Sequence, residues 1–243
     1  VPLLSDGYPS PHHAEGITLT VLFPKWTNKL PAALALGAGA AGLFVVCVVY
    51  FWFSPKHIDV GYQPYQPISY SHKLHAGALG MDCRYCHRGV EDGPNATVPD
   101  AATCMGCHLQ VKKESVALQP LRDAWGDGKA DGTPVHWVKV HLLPQFAYFH
   151  HAVHVHAGVG CKSCHGRIDQ MEIVRQVEPL SMGWCLECHR DPTPHVRPKG
   201  VAVTNMDWVA DEQSIAAARQ RLEWMGDAPP ELNPPTHCSA CHR

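Results

Sequence analysis

Charge is scarce in this 243-residue chain: Asp, Glu, Lys and Arg together make up 17% of it, and the formal net charge is −2. No basic run or block of like charge stands out, so the electrostatic footprint of a nucleic-acid binder is missing. Apolar runs of membrane length are missing as well, apart from one near the N-terminus. Long amphipathic patterns are few. The clearest is 211–225, with Asp211 and Glu212 opening it, Gly226 closing it, and Ile215, Leu222 and Met225 on one side. Large sheets and long helices are therefore not expected. What the chain has in quantity is Cys and His, 11 and 18 residues respectively. Such a composition belongs to a disulfide scaffold, a metal protein or a haem protein, and spacing decides among them.

The spacing is Cys-x-x-Cys-His, five times over: Cys83-Arg-Tyr-Cys86-His87, Cys104-Met-Gly-Cys107-His108, Cys161-Lys-Ser-Cys164-His165, Cys185-Leu-Glu-Cys188-His189 and Cys238-Ser-Ala-Cys241-His242. Ten of the 11 cysteines are used. In this motif two thiols form thioethers with the haem vinyl groups, and the adjacent His is the proximal iron ligand. Zinc pairs would not need a His directly after every second Cys. The expected cofactor is five haems c, with His87, His108, His165, His189 and His242 proximal. The expected fold is a multihaem cytochrome c, mostly irregular, with short α-helices packed around haems and one N-terminal transmembrane helix. Trp125, Trp137, Trp184, Trp208 and Trp224 are expected to pack on porphyrins.

A repeat accounts for the extra histidines. Tyr70-Ser-His72-Lys-Leu-His75 precedes the first motif, and Phe149-His150-His151-Ala-Val-His154 precedes the third. Each is followed by two motifs, so the chain reads as two related two-haem modules, 69–110 and 149–190, and a terminal haem at 236–243. Histidines three apart share one side of a helical turn and can reach two irons. His72, His75, His151 and His154 are thus the expected distal ligands. The fifth distal position goes first to His141, with Met171 or Met182 as alternatives, because Met/His ligation also occurs in c-type cytochromes. Either methionine can equally be core packing. His136, His150, His156, His195 and His237 are weaker candidates. His12, His13 and His57 lie before or beside the apolar run, out of reach of an iron.

The apolar run, from Pro31 to Phe53, contains no charge and is long enough for a bilayer, which needs about 20 residues. It exceeds a signal-peptide core and is followed by Ser54-Pro55-Lys56-His57 in place of a small-residue cleavage site. It reads as an uncleaved anchor, with Tyr50 to Phe53 at the interface and Cys47 as packing. Lys25 and Lys29 precede it, which puts 1–30 in the cytoplasm, 31–54 in a bacterial inner membrane and, after a Pro- and Tyr-rich linker at 55–68, the haem domain 69–243 in the periplasm.

Three stretches carry a family resemblance: Trp137-Val-Lys-Val-His141-Leu-Leu-Pro-Gln-Phe-Ala-Tyr-Phe149, Cys164-His165-Gly-Arg-Ile-Asp-Gln-Met171 and Leu180-Ser-Met-Gly-Trp-Cys185-Leu-Glu-Cys188-His189-Arg190. With the anchor and the number and order of motifs, they resemble the pentahaem c-type subunit of bacterial alternative complex III. The resemblance implies a relay that carries electrons from membrane quinol oxidation to a periplasmic acceptor, a cytochrome c or a blue copper protein. It implies partners too: an iron–sulfur protein, polytopic membrane subunits holding the quinol site, and a monohaem cytochrome c. Two other readings stand beside it. A stand-alone membrane-anchored quinol dehydrogenase would need a quinol pocket beside a haem of unusual ligation. A catalytic multihaem reductase would need an open haem, often with Lys in place of a motif His, and here all five motifs end in His. A pyridine haemochrome assay is expected to give five haems c per chain; three or four would contradict the reading of the motifs.

Overall fold

The computed structural model describes residues 23–56, 59–128, 132–226 and 234–242. His12, His13 and His57 lie outside the described residues, as do the side chains of Asp127 and of 221–226, which include Leu222, Trp224 and Met225. The chain divides into two compact units, Val1–Tyr50 and Phe51–Arg243.

The first unit is built on α1 (Leu30–Val48), which has Pro31 in its first turn, where a missing N–H costs nothing. With the turns on either side it forms a helix from Lys25 to Phe53, 29 residues, long and apolar enough to cross a membrane. None of its most apolar stretch is buried within the protein; Leu36 is 76% exposed and Phe44 68%. A helix apolar all round is covered either by other protein or by a bilayer.

The second unit has no strand among the described residues, only isolated bridges between Ala147 and His242 and between Val159 and Val196. Its helices are short: α2 (Cys83–Cys86), α3 (Ala101–His108), α4 (Gln119–Trp125), α5 (His151–His156), α6 (Lys162–His165), α7 (Met182–Arg190), α8 (Glu212–Gly226) and α9 (Cys238–Cys241). A π-helical turn at Lys73–Ala78 stands where the first module's histidine pair lies. Three of the motif helices have side-chain caps. Asp82 accepts from Arg84 N at 2.9 Å, Asp100 from Thr103 N at 2.8 Å, and Ser181 from Trp184 N at 3.3 Å. Such caps matter in pieces this short, because isolated single turns do not hold in water. In α8, Asp211 accepts from Ser214 N at 2.7 Å and Ser214 Oγ accepts from Asp211 N at 2.9 Å, a reciprocal cap one residue upstream of the helix.

The apolar core is slight. Ile68, Met105 and Leu121 form its cluster, with Leu118, Trp125, Val135 and Trp137 packed against it. Trp125 and Trp137 therefore pack on protein. No large side chain among the described residues is fully buried. A unit this long normally closes around many fully buried side chains. Here the interior is lined by half-buried imidazoles and sulfurs.

The two histidine turns dock across the modules. Lys73 N, after His72, donates to Met171 O at 3.0 Å, and Ala152 N, after His151, donates to Gly93 O at 3.1 Å. Gly93 and Met171 lie at the same offset from their motif histidines, six residues beyond His87 and His165. Each module's turn is thus held by the other module's loop. On the first of these loops the chain doubles back closely: a Cβ at Gly89 would meet Asn95 O at 2.6 Å and Thr97 Cγ2 at 2.7 Å. Gly89→Ala is expected to displace the 95–97 segment and cost about 1–3 kcal/mol, read as a lower midpoint in thermal unfolding.

Candidate haem-binding centres

Within each motif the cysteines sit at i and i+3 and the histidine at i+4, so on a helical turn all three project from one side. Every motif histidine is partly buried, as are His72, His75, His141, His151 and His154. Among the weaker candidates, His136, His150, His156 and His237 are exposed and His195 is partly buried.

The imidazoles meet in pairs. His72 and His87 have ring centroids 6.4 Å apart with planes 3° from parallel. His75 and His108 are 6.2 Å apart, and His154 and His189 6.0 Å. Two imidazoles on opposite sides of one metal, with metal–nitrogen bonds of about 2.0 Å and about 1.1 Å more to each ring centre, have centroids about 6.2 Å apart. The three pairs leave that gap, and the donor set fits a haem with an imidazole on each face.

Which nitrogen faces the gap is set by what the other one bonds. The Nδ1 of His87 donates to Thr97 O at 2.7 Å, that of His108 to Val111 O at 2.9 Å, that of His189 to Pro235 O at 2.7 Å and that of His242 to Phe146 O at 3.1 Å. Upstream, His75 Nδ1 donates to Ser71 O and His154 Nδ1 to His150 O, both at 2.9 Å, and His151 Nδ1 to Pro94 O at 2.7 Å. A proton fixed on Nδ1 leaves Nε2 with its lone pair, the tautomer a metal needs. Thr97 presents its carbonyl from a left-handed backbone, φ 64°, uncommon for a β-branched residue and a local strain at the site. Burial also lowers the pKa of two of the upstream rings. That of His72 falls to about 4, through desolvation and then the neighbouring His87 and His75, and that of His154 falls chiefly by desolvation. Both stay neutral near pH 7.

The two modules repeat one local geometry. Tyr70 packs its ring edge-to-face on His72 at 4.8 Å and stacks on His75 at 4.5 Å. Phe149 does the same on His151 at 4.7 Å and on His154 at 4.5 Å. The aromatic residue two before each histidine pair wedges between both rings.

The repeat breaks at His165. Its ring is 4.4 Å from that of His141, at 84°, and its Nδ1 is 3.4 Å from His141 Nε2. That is too close for a metal between them. Desolvation, then His141 and His151, lowers the His165 pKa to about 3; burial lowers that of His141 as well. The structure places His141, nominated as the fifth distal ligand with no particular motif assigned to it, against the third motif. The ring in contact with His242 is Phe146, at 5.7 Å. Met171 is buried, with its carbonyl bonded to Lys73 N, and Met182 is 66% exposed. The carbonyl partners of His151, His189 and His242 and the His141–His165 contact had no local sequence signal, since each joins segments through the fold.

The sulfurs place the motifs in a spatial order. Cys104 lies close to Cys86. Cys83 and Cys161 are within hydrogen-bond reach. Cys164 is close to Cys188 and Cys185, and Cys185 to Cys241. The second motif thus neighbours the first, the first the third, the third the fourth, and the fourth the fifth. Among the described residues no three His, Cys, Asp or Glu converge as a bare metal ion would require.

No family model matches the chain. Over 125 residues it is 34% identical to the multiheme cytochrome c subunit of menaquinone reductase from Nitratidesulfovibrio vulgaris (strain Hildenborough). The match covers 51% of this chain and 56% of that protein, so the chain spans little more than half the length of the relative. The similarity is to a multihaem c-type cytochrome, and haem c is the cofactor it supports here. Tyr70→Leu and Phe149→Leu each remove a ring wedged between two imidazoles. Each is expected to cost about 0.5–1.5 kcal/mol of aromatic packing, and the double variant about the sum, since the sites are in separate modules. Thermal melts of the three variants check this.

Proposed function

We propose that this chain is a membrane-anchored multihaem c-type cytochrome that relays single electrons within a quinone-linked oxidoreductase complex. The observation that carries the reading is the set of three imidazole pairs 6.0–6.4 Å apart, each joining a motif histidine to an upstream histidine. With both axial positions filled, a haem binds no substrate and exchanges electrons only. Haem attachment is assigned to all ten motif cysteines, and proximal ligation to His87, His108, His165, His189 and His242. Distal ligation is assigned to His72, His75 and His154 by their pairing. It is assigned to His151 by its equivalence to His72 and by its Nδ1 bond to Pro94 O.

The chain's own residues prepare these sites. Backbone carbonyls hold the Nδ1 protons of His75, His87, His108, His151, His154, His189 and His242 and so orient those rings. Tyr70 and Phe149 lock the two histidine pairs. The docking of each turn on the other module holds the first and third motifs together at Cys83 and Cys161. A route from the second motif through the first, third and fourth to the fifth, or the reverse, follows the order in which their sulfurs lie.

The haem domain is assigned to the periplasm and α1 to the membrane, with the N-terminus cytoplasmic. The resemblance to the pentahaem subunit of alternative complex III favours quinol oxidation, with an iron–sulfur protein, polytopic subunits and a monohaem cytochrome as partners and a periplasmic cytochrome c or blue copper protein as acceptor. The relative that is a menaquinone reductase subunit favours the same relay run toward the quinone pool. Mild-detergent purification followed by rapid mixing with quinol or with reduced acceptor separates the two. A chain that comes out alone, yet is reduced by quinol directly, overturns the relay assignment. His75→Ala and His154→Ala are each expected to turn one low-spin ferric haem into a high-spin one in low-temperature EPR, with haem content unchanged. Spectra left wholly low-spin would overturn the distal assignments.

A further inference from the structure

Two thiols from different motifs meet where the modules dock. Cys83 opens the first motif and Cys161 the third, and their sulfurs lie within hydrogen-bond reach. The chain around them fixes the meeting. Cys161 N donates to Val203 O at 3.1 Å. Thr204 Oγ1, on the next residue, donates to Asp82 Oδ2 at 3.1 Å. Asp82 precedes Cys83 and caps its helix by accepting from Arg84 N at 2.9 Å. The start of each motif is therefore tied to one of two consecutive residues, whose Cα atoms stand about 3.8 Å apart. The exchanged bonds of the docked turns, Lys73 N to Met171 O and Ala152 N to Gly93 O, hold the same two modules together. Both thiols are free and only partly buried, so a reagent can reach them.

The second cysteine of each motif is engaged elsewhere. Cys86 is within hydrogen-bond reach of the Tyr70 hydroxyl, and Tyr70 is wedged between His72 and His75. Cys164 is close to Cys188 and Cys185. A bond within either motif would draw its second cysteine away from these contacts. A disulfide forms without backbone movement only where the two side chains point at one another. Across the joint, Cys83 and Cys161 do so.

We propose that a disulfide joins Cys83 to Cys161 before haem is attached, and that its reduction precedes haem attachment at the first motif. The inference rests on the periplasmic location and the haem at the first motif, both part of the proposed function. A bacterial periplasm is kept oxidising by proteins that carry an exchangeable disulfide. One thiolate of the pair attacks that disulfide, and one sulfur of the oxidant leaves as a thiol. The other thiolate then attacks the mixed disulfide at the first cysteine's sulfur, and the oxidant's second sulfur leaves. The two thiols lose two protons and two electrons, and the oxidant's disulfide takes up both. A thioether at Cys83 needs a free thiol, so a dithiol reductant must first reverse the exchange. Until then the bond clips the modules together, and a link between segments so far apart in sequence restricts the unfolded chain strongly.

Trypsin makes the test direct, because Arg84 and Lys162 separate the two cysteines of each motif. Cys83 leaves in peptide 74–84, Cys86 in 85–88, Cys161 in 140–162 and Cys164 in 163–167. The full chain is exported in cells without haem-attachment machinery, thiols are trapped with N-ethylmaleimide, and unreduced digests are analysed by mass spectrometry. A cross-link of 74–84 to 140–162 is expected in most chains. Cys83 alkylated in the parent, or linked to 85–88, overturns the proposal. With the machinery present, a pulse-chase trapped in the same way is expected to show the cross-link peaking before haem appears on the first motif. Haem appearing there with no earlier cross-link overturns the proposal, and this arm decides even where the haem-free chain does not accumulate. A cross-link that is never followed by haem on the first motif instead overturns the haem reading of that motif, and the disulfide stands.

Discussion

An imidazole can hold a metal only through a nitrogen whose lone pair is free, and its other nitrogen must then keep its proton on something. In this chain that something is almost always a backbone carbonyl, supplied by residues as distant as Pro235 for His189 and Phe146 for His242. Much of the irregular chain between the motifs is arranged by this demand. Loops that would be free to wander must end with a carbonyl at a set point, and one of them adopts a left-handed threonine to do so.

The same demand explains the thin apolar core. Paired rings whose centroids stand about 6 Å apart are set beside one another without close packing. The Ile68, Met105 and Leu121 cluster supports α3 and α4, while the remaining interior is half-buried imidazole, sulfur and aromatic surface.

What the sequence made legible was local. Cys-x-x-Cys-His is a statement about one helical turn, and the three-residue spacing of His72 and His75, or of His151 and His154, is a statement about another. The apolar run is legible for the same reason, and α1 lies inside it. The helix expected at 211–225 is found at Glu212–Gly226 because its cap and its stop are both adjacent in the chain. Partners across the fold were not legible. Nothing near His141 says that it will meet His165, 24 residues on, and nothing near Cys83 says that it will lie against Cys161. The sequence also did not say that Trp125 and Trp137 would pack against the Ile68, Met105 and Leu121 cluster, because the pattern of a tryptophan does not say what shares its pocket.

The exchanged hydrogen bonds, Lys73 to Met171 and Ala152 to Gly93, have a bearing on ancestry. Two copies of one unit that each lend a turn to the other make a closed, self-complementary pair, as in a symmetric dimer. Joined head to tail in one chain, the second copy is always present at high effective concentration. Neither half then needs to stand alone, and the two are free to diverge. His141 against His165, with no counterpart in the first half, is what such freedom leaves behind.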